Sequence, residues 1–110
     1  MHEHLKNNRP LTHAIFASND AMAAGVVHAL RSAGRAVPDD VAVVGFDGVD
    51  TSRHLNLTTI QVPIRGIGRE AAKIAIEMAS YSGKPRQIVM PTQLIVRNSC
   101  CPKASKGALT

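Results

Sequence analysis

Two short, unbroken apolar runs separated by one amphipathic period constrain this chain most. The first, His13-Ala-Ile-Phe-Ala-Ser18, stops abruptly at Asn19-Asp20. The second, Val41-Ala-Val-Val-Gly-Phe46, stops at Asp47-Gly48. Continuous apolar runs this short, without polar alternation, suit strands buried on both faces. Between them Ala23, Val26, Val27, Leu30 and Ala33 recur at helical spacing. Asn19 is a good N-cap, Asp20 suits the positive end of the helix dipole, and Gly34 with Pro38 beyond it ends the helix. Strand, helix and strand in this order predict a βαβ unit with parallel strands and a right-handed crossover.

The rest of the chain extends the pattern. Residues 47–57 read as a loop, and Thr58-Thr-Ile-Gln-Val62 as a third strand or extended crossing. Pro63 disfavours helix at Val62 but suits a helix starting just after it. Ile67, Ala71, Ile74, Ala75 and Met78 trace one face of a helix over residues 64–82, about five turns long. Ser82-Gly83-Lys-Pro85 stops it. Two short extended segments follow, Gln87–Met90 and Gln93–Val96, separated by Pro91.

Composition excludes several function classes. With 110 residues, 45% of them hydrophobic, the chain is at most one small globular domain. No apolar stretch approaches the roughly 18 residues a membrane span needs. The polar segment before Leu11 is not a secretory signal, so the expected location is cytoplasmic. The net charge of +5 is unevenly spread. Residues 1–50 hold four Lys/Arg against six Asp/Glu, and residues 51–110 nine against two. Those basic residues are scattered, with no helix–turn–helix pattern to read DNA, so they imply a solvated face and a basic tail.

The candidate site follows from topology. Open parallel sheets bind ligands beyond the carboxyl ends of their strands. Asn19 and Asp47 stand there: an amide that donates and accepts, and a carboxylate that takes two hydroxyls at once. Together they suit a polyhydroxylated or purine-like small molecule, although the same residues also suit a plain helix cap and a plain turn.

Other candidates carry less. His2 and His4 form an HxH pair without a third ligand, so no metal site is expected. His28 has no nucleophile placed with it. Gly45-Phe-Asp-Gly48 lacks the companions of a phosphate loop. The adjacent Cys100 and Cys101 form neither a disulfide framework nor a CxxC pair, and without a basic helix terminus beside them they read as incidental. No paired carboxylates or Ser-His-Asp arrangement supports an enzyme, and no cofactor is expected.

The string Ala14-Ile-Phe-Ala-Ser-Asn-Asp-Ala-Met-Ala23 followed by Gly25 resembles a segment of the lactose-repressor (LacI/GalR) family of bacterial transcription regulators. Further matches come in the family's order: Val37-Pro-Asp-Asp-Val-Ala-Val-Val-Gly-Phe-Asp47, Leu57-Thr-Thr-Ile60, Gly68-Arg-Glu-Ala-Ala72, and Pro91-Thr-Gln-Leu-Ile-Val-Arg97 with Ser99. The resemblance covers residues 10–100. It implies part of an α/β, periplasmic-binding-protein-like (type I) fold, mostly its second lobe, with a parallel sheet and βαβ units. On this reading residues 1–12 are a frayed segment and 13–99 a partial effector domain. Within it 13–60 form the second-lobe βαβ, 61–90 cross to a first-lobe helix, and 91–99 return. Residues 100–110 are a disordered basic tail.

The resemblance places Asn19 and Asp47 at positions that hydrogen-bond a small-molecule effector, such as a sugar. It implies a homodimer through Ala24, His28, Ser32 and Leu55. Operator DNA would be met only through a helix-turn-helix headpiece that these residues do not include. Two departures stand out: Val62 replaces a cleft-lining Gln common among relatives, and the loop from Asp47 to Leu57 is short and lacks Pro-Pro. A periplasmic-type sugar-binding transport protein is the alternative reading.

Overall fold

In a computed structural model, residues 12–80 and 84–101 are described. The segments expected to fray (1–12) or to be disordered (100–110) lie outside them except for Thr12, Cys100 and Cys101, and the two cysteines are half-buried in a turn rather than disordered. The elements run β1 (Ala14–Phe16), α1 (Asp20–Ser32), β2 (Ala42–Asp47), α2 (Asp50–His54), β3 (Thr58–Gln61), α3 (Ile64–Ser80) and β4 (Gln93–Ile95). One sheet of order β1-β2-β3-β4 holds the four strands. The first three are parallel, and β4 returns antiparallel to β3.

The α1 helix forms as its sequence dictates. Asn19 has extended backbone angles, and its side-chain oxygen accepts the N–H of Met22 at 2.8 Å. That cap satisfies one of the first-turn donors that a helix leaves unpaired. Ala23, Val27 and Leu30 are buried on the face turned to the sheet, where they meet Val41, Val43 and Leu57. Each large side chain fully buried here contributes about 1.5–3 kcal/mol. Ala33, placed by its spacing on the apolar stripe, is exposed.

Three expectations need correction. The run containing β1 is not buried on both faces: Phe16 is 63% exposed. The reason is that α1 covers only one side of the sheet, and β1 is an edge strand. The segment 47–57 is not all loop, since α2 occupies five residues of it and buries Ser52. Of the two extended segments near the end, only Gln93–Ile95 pairs into the sheet. Residues 84–90 instead run across α3, where Arg86, Ile88 and Met90 line a shallow groove with Ile67, Ala71 and Ile74. Arg86 donates to Glu77 at 2.6 Å in an ion pair about half exposed, a geometry worth at most about 1 kcal/mol.

The α3 helix stands apart from this core, and none of its residues is buried. Of the stripe that the spacing predicts, Ile67, Ala71, Ala75 and Met78 remain exposed. Among the described residues no helix is long and apolar enough to cross a membrane.

Candidate effector site at the carboxyl edge of the sheet

The strands set the site's dimensions. Phe16 pairs with Val44, so three further residues on each strand bring Asn19 and Asp47 to the same edge. Register continues the row outward: Asp47 pairs with Gln61, and Gln61 with Gln93. Asn19 and Asp47 are half-buried, whereas Gln61 and Gln93 are exposed. The sheet thus ends in a carboxylate and three amides, a donor–acceptor set suited to neutral hydroxyl-rich molecules. Since the Asn19 oxygen caps α1, its amide N–H groups are what it offers a ligand.

Asp20 holds this edge together. It is fully buried, and its Oδ2 accepts the backbone N–H of both Gly48 and Val49 at 2.9 Å. Its Oδ1 accepts the hydroxyl of Thr59 at 2.6 Å. One carboxylate therefore ties the start of α1 to the residues just past β2 and to β3. Asn19 and Asp47 are immediate neighbours of the groups so tied. Two glycines make room. A Cβ at Gly45 would collide with Asp20 Oδ1, and one at Gly48 would lie 2.7 Å from the Gln61 Cα. Gly48 also has φ +76°, a conformation costly for a side-chain-bearing residue.

Asp47 itself has φ +110°, although it carries a side chain. Such backbone outliers cost about 1–3 kcal/mol and cluster where a side chain must be aimed. The strain is held on both sides: the Asp47 carbonyl accepts Val62 N–H at 3.0 Å, and the next two N–H groups are held by Asp20.

Beyond this edge the chain leaves the sheet through Val62-Pro63 and returns through Pro91-Thr92. A cleft of ≈ 450 Å³ between the two crossings is lined by Gln61, Pro63, Pro91, Thr92 and Gln93. Another, of ≈ 380 Å³, runs from Gly48 and Gln61 to the first turn of α3.

Sequence reasoning singled out Asn19 and Asp47, set Asp20 beside them with no role but the helix dipole, and passed over Gln61 and Gln93. A polar residue closing an apolar strand, as in Thr-Thr-Ile-Gln61, was the available signal. The four residues expected at a dimer face differ in exposure. Ala24, His28 and Ser32 follow one another at four-residue spacing along α1, with His28 and Ser32 exposed. Leu55 packs against the core. Among the described residues no group of three or more His, Cys, Asp or Glu could hold a metal.

Comparison with known proteins identifies the fold and the family. The periplasmic binding protein-like domain family matches residues 1–100. The HTH-type transcriptional regulator MalR of Clostridium butyricum is 34% identical over 98 residues, which is 87% of this chain and 29% of that protein. The chain thus spans less than a third of that relative's length. The solved transcriptional regulator CelR–cellobiose complex superposes with a TM-score of 0.81 at 34% identity, covering 89% of this chain and 31% of that one. A LacI family transcriptional regulator from Arthrobacter sp. FB24, in complex with lactose, superposes with a TM-score of 0.76 at 35% identity, covering 89% and 38%.

Proposed function

Because the chain belongs to the periplasmic binding protein-like domain family, in the form carried by LacI-type transcriptional regulators, we propose that it senses a sugar or related metabolite at the Asn19–Asp47 edge for such a regulator. The observation that carries this reading is the Asp20 latch. It fixes two half-buried polar residues, the cap of α1 and the end of β2, at one edge, and relatives about 35% identical are solved with cellobiose and lactose. In this role the Asp47 carboxylate accepts from neighbouring sugar hydroxyls, while Asn19 and Gln61 supply amide contacts.

The two proline-bearing crossings lie side by side, so a ligand seated at their root bears on the angle between the sheet and α3. Ligand binding then acts by shifting the population of that arrangement. In a cytoplasmic regulator, operator affinity would follow that shift through a DNA-reading domain. A second copy would pair through Ala24, His28, Ser32 and the rim around Leu55.

Calorimetric titration with cellobiose, lactose and ribose tests the site. Asp47→Ala is expected to lose about 1.5–3 kcal/mol of binding to whichever sugar is taken, and Asn19→Ala less. Unchanged affinity in the Asp47 variant would remove the carboxyl edge as the site.

A further inference from the structure

We propose that Cys100 and Cys101 form a chelating dithiol for a trivalent thiophile of the arsenite or antimonite class. Their Sγ atoms lie 3.5 Å apart, and both residues are free and half-buried. The backbone beside them is fixed. The Ser99 carbonyl accepts Val43 N–H at 2.8 Å, and Ser99 Oγ accepts Thr58 N–H at 2.8 Å while donating to the Val43 carbonyl. Thr58 Oγ1 lies 3.1 Å from Cys100 Sγ and accepts the Arg97 N–H at 2.9 Å. The two thiols are thereby presented together by a turn clamped to β2 and β3.

The bite of the pair selects the occupant. Adjacent residues have Cα atoms about 3.8 Å apart, short of the roughly 4.4–6.8 Å that a relaxed disulfide spans. Bringing the sulfurs into a bond therefore strains the chain, whereas one atom bridging them does not require the bond. Zinc needs four ligands, and the described residues supply no third His, Cys, Asp or Glu here. A linear two-coordinate ion needs its sulfurs on opposite sides. A pyramidal trivalent centre takes two sulfurs at nearly a right angle, in contact with each other, and brings its own third substituent. Cys100 also holds the Cys101 thiol above its ordinary pKa, chiefly by the hydrogen bond between them, so Cys101 rests as a thiol near neutral pH. Condensation uses that form. With phenylarsine oxide two S–H bonds and the arsenic–oxygen bond break and two As–S bonds form. Both protons leave with the oxygen as one water, and no electrons are transferred.

The test uses the full chain, purified with reductant, and phenylarsine oxide as probe. One equivalent is expected to remove both of the chain's thiols from reaction with Ellman's reagent and to add one phenylarsenic group by intact mass. A small dithiol should reverse both changes. Cys100→Ser, which keeps a hydroxyl beside Thr58, and Cys101→Ser should each bind about 100-fold more weakly, because the second sulfur no longer acts at high effective concentration. Single-cysteine variants binding as tightly as the parent would overturn the proposal. So would two thiols still reactive after the equivalent is added, or equal protection by zinc alone.

Discussion

The Asp20 carboxylate accepts the Gly48 N–H at 2.9 Å across 28 residues of sequence, and through that bond the end of β2 is tied to the start of α1. Removing the carboxylate leaves the N–H groups of Gly48 and Val49 and the Thr59 hydroxyl without their acceptor. Asp20→Ala is therefore expected to cost about 3 kcal/mol or more in urea denaturation. Asp20→Asn keeps one acceptor oxygen and should cost less. Sugar affinity should fall in both, since the Asp47 backbone is released. A loss below about 1 kcal/mol in the alanine variant would show that water replaces the latch.

Asp47 separates stability from binding. Its φ of +110° is strained, and glycine removes that strain while adding freedom to the unfolded chain. Asp47→Gly is expected to leave the chain as stable as the parent or stabler by about 1 kcal/mol, while sugar binding weakens at least as much as in Asp47→Ala. Thermal melting and calorimetry on one sample check both halves.

Ser99 satisfies Thr58 N–H and the Val43 carbonyl with a single buried hydroxyl. Ser99→Ala leaves both groups unpaired in the core, at about 2 kcal/mol. Hydrogen exchange read at the Thr58 amide should rise accordingly, and unchanged protection there would argue for a substitute partner.

The apolar stripe of α3 is open, with Ile67 41% and Met78 48% exposed. The chain by itself is expected to bind an apolar dye or to associate as its concentration rises. Ile67→Gln together with Met78→Gln should suppress both. A sharp, concentration-independent melt of a monomer with no dye binding would contradict this.

The raised Cys101 thiol sets a pH dependence. Hydrogen bonding to Cys100, then desolvation, then charge repulsion from Cys100 all favour the protonated form. Alkylation of Cys101 by iodoacetamide should therefore rise with pH later than that of a free cysteine. Cys100→Ala should move the midpoint down. Equal midpoints in parent and variant would show that the neighbouring thiol has no such effect.

Legibility in the sequence followed the range of the interaction that fixes each feature. Apolar runs and the 3.6-residue period report local geometry, so β1, α1, β2, β3 and α3 could all be read, together with the Asn19 cap and the start after Pro63. The positions of Asn19 and Asp47 followed too, because strand ends in a parallel sheet define an edge without further detail. The five-residue α2 is too short for any period to register.

Tertiary structure alone decided how that edge is held. Asp20 is an ordinary first-turn acid by sequence. It becomes a buried latch only because strand order brings Gly48, Val49 and Thr59 around it. Gln61 joins Asp47 through the parallel register of β2 and β3, and Gln93 joins Gln61 because β4 returns antiparallel beside β3. The exposure of Phe16 was equally out of reach, since an apolar run states a preference for burial and not whether a second layer lies over it. Local propensity determined which segments could become strands and helices. Pairing across 28 to 56 residues, where chain connectivity no longer restricts the partner, determined which side chains meet.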